Sequence, residues 1–424
     1  MAQPKPRQES HPTVDDVDFK SLYRKTTYEV RTADHWTLVI TRYRPVPQAF
    51  PQPIFGEPIL LVHGFSQNRH TWTSGEFVKN LLFFGADVHI LELRGHGKSS
   101  LALQREKHRD EGARLPSNLD YGWDIDDYFL YDLPAAVDGV RRTTRRPRIF
   151  YCGHSMGGML GYGYAGIHRD LEGLITIGSP SDLGRGFLLI RLISFLAPLE
   201  YGVDASLAAV NATRSLDRGV RRAASSVLGR VGARRLADRL APPELPKRRL
   251  SFRYVPMDQL LRLIERALSG EGYRRYERLS RLSRYVMLLS NPQRVTAEDI
   301  RWLLREGGER EPRGVVLEFA RWVRNGELCC YRTGYDFKRN FPKITIPVAI
   351  IFGDLDRLAS VDSTRGIYHG AKSEYLLWRP VKGNSHLELT MGHDIRQICY
   401  DIKNLIQFAV EHRGLRPSLP RRDS

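Results

Sequence analysis

Short apolar runs alternate with segments of helical spacing along the first part of the chain. Residues 28–46 alternate apolar and polar side chains about a turn at Ala33, Asp34 and His35, which predicts two strands. Nearly continuous apolar runs predict further strands at residues 58–64, 86–93, 148–152 and 174–177. Helical spacing predicts helices over residues 72–84, 123–142 and 156–167, whereas residues 101–120 are predicted to form a loop. This alternation predicts an α/β protein with a doubly wound, mostly parallel sheet.

The alternation stops near residue 184 and resumes near residue 347. Roughly 160 residues lie between these points, whereas one βαβ unit needs about 30. The extra residues are rich in arginine and include segments of helical pattern at 216–240 and 257–289. We therefore predict a helical cap domain inserted between two strands of the sheet.

The sheet is predicted to continue after this insertion. Strands are predicted at residues 347–353 and 375–381, followed by a closing helix at residues 394–412. The predicted parts of the chain are a polar N-terminal segment (1–27), the first part of the α/β core (28–184), the cap (185–314), the second part of the core (315–412) and a C-terminal tail (413–424).

The positive charge of the chain is concentrated in the predicted cap. The 424 residues include 65 Lys and Arg against 48 Asp and Glu, a formal net charge of +17. Residues 181–312 hold 25 of these basic residues and 15 of the acidic ones, so more than half of the excess lies in less than a third of the chain. Such a segment attracts an anionic membrane, an anionic ligand or nucleic acid, unless it is only an arginine-rich surface in solvent. No recognised nucleic-acid motif accompanies the charge, so specific nucleic-acid binding is not expected.

Other sequence features bear on cofactors and location. The 4 cysteines lack the paired spacing of a zinc site and are too few for a disulfide framework. Neither a phosphate-binding G-x-x-x-x-G-K-[ST] loop nor a dinucleotide fingerprint occurs, so we expect no cofactor and no metal. No secretory signal follows the first charged residues, and no apolar run reaches the ~18 residues of a spanning helix. We therefore expect a cytoplasmic protein, with peripheral attachment to a membrane as the alternative.

The pentapeptide at residues 153–157, Gly-His-Ser-Met-Gly, fits the pattern G-x-S-x-G. An apolar strand precedes it and a helix of small residues follows, which is the context of a nucleophile elbow. A tight turn of this kind lifts the hydroxyl of Ser155 above the sheet, and glycines on both sides avoid clashes with neighbouring backbone. The alternative is a serine in an ordinary glycine-rich turn. The context favours Ser155 as a nucleophile.

A serine nucleophile needs a base and an orienting carboxylate, which follow it along the chain in this order: serine, acid, histidine. Asp356 is favoured as the acid because it lies three residues beyond the predicted strand end at Gly353, with Asp354 as the alternative. His386 is favoured as the base because it lies in a loop after the next strand. His393 is the competitor, but it adjoins the closing helix and is interpreted as a surface or helix-cap residue.

An oxyanion hole is expected from backbone N–H groups of two loops. One donor is Met156, directly after the serine, and the other is Phe65, in the loop after the first buried strand. His63 is interpreted as a residue that supports this loop by hydrogen bonding, because it precedes the hole.

These motifs resemble the α/β-hydrolase superfamily. The elbow at residues 153–158, the pair His63-Gly64 and the turn at residues 94–99 (Arg-Gly-His-Gly-Lys-Ser) are typical of it. Residues 127–138, 335–337 and 384–392 resemble the acid-lipase branch and its bacterial relatives. The resemblance covers roughly residues 28–184 and 315–412, and it implies a serine hydrolase whose nucleophile, acid and base are Ser155, Asp356 and His386.

The sequence therefore predicts hydrolysis of a carboxylic ester, with a hydrophobic acyl group, through an acyl-enzyme on Ser155. Acyl transfer to an alcohol or a growing polyester by the same residues is the first alternative, and a non-catalytic binding protein of this fold is the second. The apolar stretch at residues 187–196 is either part of an acyl pocket or the core of the cap. The eight arginines at residues 212–240 suit a helix on an anionic membrane, or one that packs on the hydrolase core with its arginines in solvent.

Overall fold

The computed structural model describes residues 12–183, 253–268, 271–282 and 290–413. Its strands are β1 (Tyr23–Arg31), β2 (Thr37–Pro45), β3 (Pro58–Val62), β4 (Asp87–Glu92), β5 (Ile149–His154), β6 (Leu171–Ile177), β7 (Tyr254–Val255), β8 (Glu311–Pro312), β9 (Cys329–Cys330), β10 (Tyr335–Asp336), β11 (Val348–Gly353) and β12 (Leu376–Val381). Eight of these strands form one sheet in the order β1-β2-β4-β3-β5-β6-β11-β12. β1 and β2 pair antiparallel with their neighbours, and the strands from β4 to β12 in this sheet are parallel. The predicted doubly wound sheet is confirmed.

Helices connect and cover the strands. They are α1 (His70–Thr73), α2 (Phe77–Phe83), α3 (Leu101–Glu111), α4 (Ile125–Asp127), α5 (Leu133–Thr144), α6 (Met156–Ile167), α7 (Met257–Ala267), α8 (Glu271–Leu282), α9 (Ala297–Glu306), α10 (Arg313–Asn325), α11 (Val361–Gly370), α12 (Glu388–Met391) and α13 (Ile395–Glu411). Single 3-10 turns occur at Val14–Asp16, Phe19–Leu22 and Lys338–Lys343, and a π turn at Tyr128–Asp132 joins α4 to α5.

Burial on both faces explains the apolar runs of the central strands. Every residue of β3 and of β11 is buried. Successive residues of β3 belong to different clusters: Leu60 lies in the cluster of Trp36 and Trp123, whereas Leu61 lies in the cluster of Trp72. Because successive side chains of a strand point to opposite faces, the sheet has an apolar layer on each face.

The prediction of a loop over residues 101–120 is wrong, because α3 occupies most of its first half. The side chain of Ser100 accepts a hydrogen bond from the Leu103 N–H, and Gly112 ends the helix with a φ of 66°. Between these caps lie residues of high helix propensity, but Gln104 is the buried one among them. The helix therefore has no apolar stripe for the pattern to reveal.

The single helix predicted over residues 72–84 is divided into α1 and α2. Gly75 lies between them, and a Cβ at this glycine would come within 2.7 Å of the Met391 Cα. The close approach of the chain before α13 therefore fixes the break. The single segment predicted over residues 257–289 likewise contains two helices, α7 and α8, and residues 283–289 lie outside the described residues.

The chain divides into two compact units, residues 1–191 with 254–424 and residues 192–253. Except for Arg253, the second unit lies outside the described residues, and so do the predicted helix at 216–240 and the apolar stretch at 187–196. The bounds of the cap at residues 185–314 stay a prediction. None of the helices in the described ranges is both long and apolar enough to span a bilayer.

Candidate active site

Ser155 lies in a strained turn between β5 and α6. Its φ of 53° and ψ of −119° fall outside the ordinary regions for a residue with a side chain, which costs about 1–3 kcal/mol. The turn is held by a hydrogen bond of 2.9 Å from the Ser155 N–H to the Ile177 carbonyl oxygen. A Cβ at Gly157 would collide with the Val62 and His63 carbonyl oxygens, so glycine is required where the helix crosses β3. The predicted elbow geometry is present, and Ser155 is partly exposed at the carboxyl edge of the sheet.

His386 and Asp356 form a buried pair in the loops that follow β12 and β11. The distance between His386 Nδ1 and Asp356 Oδ2 is 2.8 Å. The other carboxylate oxygen of Asp356 accepts the backbone N–H groups of Leu358 and Ala359 at 2.7 and 2.9 Å. Because a carboxylate only accepts, the Nδ1–H of His386 donates to it.

The same loop places His386 beside the elbow. His154 Nε2 lies 3.3 Å from the His386 carbonyl oxygen, and the two imidazole rings are 4.8 Å apart. A Cβ at Gly178 would be 3.2 Å from the His386 ring, and Gly178 directly follows the residue that accepts the Ser155 N–H. Ser155 and His386 therefore border the same end of β6.

The two rejected alternatives have other contacts. Asp354 accepts the Gly383 N–H at 2.7 Å and does not contact the histidine. His393 is exposed, and its backbone N–H donates to the Arg294 carbonyl oxygen. Of the four candidates, the structure brings together Asp356 and His386.

The loop after β3 packs directly on Ser155. A Cβ at Gly64 would lie 2.9 Å from the Ser155 Cβ, which makes room for glycine only. The Gly64 N–H donates to Gln67 Oε1 at 2.9 Å, and the Ser66 N–H donates to Glu311 Oε2 at 2.7 Å. Among the described residues the Phe65 N–H between them has no such acceptor. Met156 is the first residue of α6, where a backbone N–H has no acceptor within the helix. Phe65 and Met156 therefore stay the predicted oxyanion donors.

His63 supports this loop through both ring nitrogens. Nδ1 lies 2.9 Å from the Gly64 carbonyl oxygen, and Nε2 accepts the Leu93 N–H at 3.2 Å. Burial, together with the neighbouring His96, lowers the pKa of His63 to about 3. Burial likewise depresses the pKa of His154, and His386 adds to this effect. Both rings are therefore neutral, and His63 makes the hydrogen bonds expected of a loop support.

The turn at residues 94–99 is held by buried charges. The Arg94 guanidinium is fully buried and contacts Asp132 Oδ1 at 2.7 Å and Asp34 Oδ2 at 2.6 Å. The Ser99 hydroxyl donates to the Glu92 carbonyl oxygen at 2.6 Å. These contacts tie the end of β4 to β1–β2 and to α5. The motif therefore has a structural explanation.

Sequence reasoning missed several side chains that hold the site. They are Gln67, Asn291, Glu311 and Glu388. Glu311 contacts a residue 245 positions earlier in the chain, and no local pattern signals such a pairing.

In the described ranges no group of three or more His, Cys, Asp or Glu side chains is arranged to hold a metal ion.

A parallel sheet with a strained serine after β5 and a His–Asp pair after β12 and β11 defines the α/β-hydrolase class. A family model described as the alpha/beta hydrolase fold matches residues 57–384, and the chain belongs to this family.

The curated relatives that match are lipases. Tear acid lipase-like protein of Mesocricetus auratus is 24% identical over 156 residues, which cover 37% of this chain and 38% of that protein. Lipase lipl-3 of Caenorhabditis elegans is 26% identical over 193 residues, covering 42% and 46%. Lipase member J of Homo sapiens is 31% identical over 108 residues, covering 24% and 27%. In these matches the chain spans less than half the length of its relatives, and the predicted resemblance to acid lipases is confirmed.

Solved structures that match the chain include an esterase and a lipase. A thermophilic esterase from Thermogutta terrifontis has a TM-score of 0.46 and 14% identity, and the alignment covers 91% of this chain and 99% of that chain. The monoacylglycerol lipase of Paleococcus ferrophilus has a TM-score of 0.45 and 12% identity, with the same coverage.

Proposed function

We propose that this protein is a serine hydrolase that cleaves a carboxylic ester through an acyl-enzyme on Ser155. The observation that carries the proposal is the strained elbow of Ser155 beside the buried His386–Asp356 pair. A strained serine next to an imidazole oriented by a carboxylate has no evident use in a protein that only binds a ligand.

In the first half of the reaction, His386 Nε2 takes the hydroxyl proton as the Ser155 oxygen attacks the ester carbonyl. The N–H groups of Phe65 and Met156 stabilise the oxyanion that develops on the former carbonyl oxygen. Asp356 holds the imidazole in the required tautomer and stabilises its charged form. The tetrahedral intermediate then collapses, and His386 gives its proton to the leaving alcohol.

In the second half, water replaces the alcohol. His386 takes a proton from the water, whose oxygen attacks the acyl carbonyl, and the same two N–H groups again stabilise the oxyanion. Collapse releases the carboxylic acid and returns the proton to Ser155. Acyl transfer differs only in this half, because an alcohol takes the place of water.

The names of the curated relatives support a hydrophobic acyl group, since they are lipases. The test combines a serine-directed fluorophosphonate probe with a series of esters from acetate to palmitate. Wild type is expected to react with the probe and to turn over the longer esters. Ser155→Ala is expected to lose both activities, and His386→Ala should lose as much turnover because triad members act as a unit. His393→Ala is the matched control and should keep the wild-type rate.

Two results would contradict this proposal. Full labelling of the Ser155→Ala protein would remove this serine from the mechanism. Formation of a new ester when a simple alcohol is added, at the expense of free acid, would favour the acyltransferase alternative.

We also propose that the arginine-rich region contacts an anionic membrane surface. Helix α7, a described part of this region, supports the proposal. Its Leu263 is 62% and its Leu260 47% exposed, next to exposed Arg262 and Arg266. An exposed apolar ridge beside arginines suits an interface of acyl chains and anionic head groups. Co-sedimentation with anionic and neutral vesicles at low and high salt tests the proposal. A cytoplasmic location stays a prediction.

A further inference from the structure

Glu311 is a fully buried carboxylate in β8, within the region between β6 and β11. Oε2 lies 3.3 Å from His96 Nε2 and accepts the Ser66 N–H at 2.7 Å. Oε1 accepts the Tyr128 hydroxyl at 3.3 Å, and this hydroxyl accepts the Trp123 indole N–H at 3.0 Å. A buried carboxylate costs several kcal/mol unless it is paired and hydrogen-bonded. The contacts of both oxygens show that the surrounding residues are arranged around this charge.

The partners of both ring nitrogens of His96 favour an imidazolium. Nδ1 lies 2.9 Å from the Arg94 carbonyl oxygen, which only accepts, and Nε2 faces the carboxylate of Glu311. A histidine that donates from both ring nitrogens is protonated. Burial alone would lower the pKa of His96, but Glu311 and the nearby Glu309 raise it to about 9. A full ion pair therefore lies beneath the loop that follows β3.

The backbone of this loop is held on both sides of Phe65. Ser66 has a φ of 56°, a left-handed conformation that a residue with a side chain rarely adopts without support. Its N–H donates to Glu311, and its carbonyl oxygen accepts the Glu309 N–H at 3.0 Å. On the other side, Gly64 donates to Gln67. Both chain neighbours of Phe65 are therefore hydrogen-bonded, and these bonds fix the direction of the Phe65 N–H.

We propose that Glu311 is a positioning residue for the oxyanion hole: by pairing with the His96 imidazolium and accepting the Ser66 N–H, it fixes the Phe65 N–H beside Ser155. This inference rests on the proposed function. It assigns a catalytic consequence to a residue of β8, which lies far from Ser155 in the sequence. A purely structural pair would stabilise the fold and leave the transition state unaffected.

The test compares Glu311→Gln with wild type by three readouts. They are kcat, KM and the inhibition constant of a trifluoromethyl ketone, which mimics the tetrahedral intermediate on Ser155. Removing one oxyanion donor typically costs 10²–10³-fold in rate, so misplacing it is expected to lower kcat by roughly 10- to 100-fold. The ketone should bind more weakly by a similar factor, and KM should change by less than about threefold, because the donor acts in the transition state.

Asp87→Asn is the matched control. Asp87 is also buried and paired, with Arg42 and His89, but it begins β4 at the opposite end of the sheet. This variant should lower the melting temperature and leave kcat and the ketone affinity close to wild type. If Glu311→Gln does not fold, Glu311→Asp replaces it in the test. Aspartate keeps the negative charge, but its shorter side chain moves the carboxylate away from the Ser66 N–H. It should show the same loss in kcat and ketone affinity on a smaller scale.

The inference is overturned if the folded Glu311 variant loses melting temperature but keeps wild-type kcat and ketone affinity. A fall in kcat with unchanged ketone affinity would overturn it as well. Failure of the proposed function has a different signature. In that case wild type itself turns over no ester, or Ser155→Ala keeps the activity of wild type.

Discussion

Asp354 and Asp356 are two carboxylates two residues apart, and their contacts separate them. Asp356 accepts the Nδ1–H of His386, whereas Asp354 accepts a backbone N–H of Gly383. Asp356→Asn is expected to lower kcat by up to ~10⁴-fold, because an amide favours the wrong imidazole tautomer. Asp354→Asn should reduce kcat by less than about tenfold on the same scale. Steady-state kinetics on one long-chain ester measures both variants, and equal losses would contradict the assignment of Asp356 as the acid.

Glu388, the first residue of α12, is a second buried carboxylate near His386. Its Oε1 accepts the N–H groups of Ser385 and Asn291, and Tyr276 and Asp356 lie close enough to interact with its charge. Burial, reinforced by Asp356, raises the pKa of Glu388 to about 7 in spite of the backbone hydrogen bonds. The side chain is therefore mostly protonated at mildly acid pH.

This pKa predicts how stability depends on pH. Between the ordinary glutamate pKa of 4.5 and about 7, the folded protein keeps a proton that the unfolded chain has lost. The stabilisation that this proton provides is fully present below pH 4.5 and is lost as the pH rises through 7. The free energy of unfolding falls by about 3 kcal/mol over this range. Glu388→Gln removes this titration. Denaturant unfolding at pH 5 and pH 8 should show the wild type losing stability relative to the variant at the higher pH, and a pH-independent difference would contradict the assigned pKa.

How far the sequence predicts the site depends on how local each signal is. Ser155 was predictable because strand, glycines and helix lie within a few residues of it. Asp356 and His386 were predictable in order and loop position, and in the structure they lie 2.8 Å apart. Glu311 and Asn291 were not, because their partners lie 245 and 97 residues away. Contacts of this range depend on how the folded chain returns to the sheet, which no periodicity encodes.

The turn after β3 is the element on which the proposed oxyanion hole depends. A Cβ at Gly64 would lie 2.8 Å from Gln67 Oε1, 2.9 Å from Ser155 Cβ and 3.1 Å from the His154 carbonyl oxygen. Gly64→Ala therefore forces the turn away from the serine. We expect a fall in kcat of roughly 10- to 100-fold, because the Phe65 N–H moves with the turn.

A glycine elsewhere supplies the control for this substitution. Gly112 ends α3 with a φ of 66°, and a Cβ there would meet nothing within 4 Å. Gly112→Ala should cost about 1 kcal/mol of stability, because alanine disfavours the left-handed conformation, and should leave kcat unchanged. Melting curves and kinetics on both variants make the comparison. Wild-type kcat in a folded Gly64→Ala protein would contradict the position assigned to the loop.

Secondary-structure elements differed in how well the sequence predicts them. The strands β3 and β11 are buried along their whole length, so their apolar runs identify them. Helix α3 is mostly exposed, and its caps at Ser100 and Gly112 are the signals that identify it. The break between α1 and α2 follows from packing against Met391, which is remote in sequence. Burial makes an element visible in the pattern, and long-range packing decides where it stops.

At the scale of the whole molecule, residues between the second unit and α10 contact two segments: the loop after β3 and the segment after β12. The Asn291 backbone N–H donates to Glu388 Oε1, after β12, at 2.9 Å. Glu311 Oε2 accepts the Ser66 N–H, in the loop after β3, at 2.7 Å. The same region contains α7, whose apolar ridge is exposed. A partner that binds this region therefore acts on a segment that also holds the two loops.

If an anionic membrane is that partner, single side chains of α7 should control attachment. Leu263, at 62% exposure, contributes about 1.5–3 kcal/mol when an apolar phase buries it, so Leu263→Asp should lower partition onto anionic vesicles at least about tenfold. Replacing Arg262 and Arg266 by Gln should weaken binding by about 1 kcal/mol for each charge, and only at low salt. Ile167→Asp, at a 44% exposed position that ends α6, is the control and should bind like wild type. Equal sedimentation of all variants, or of wild type with neutral and anionic vesicles alike, would leave the arginines of this region as a solvated surface.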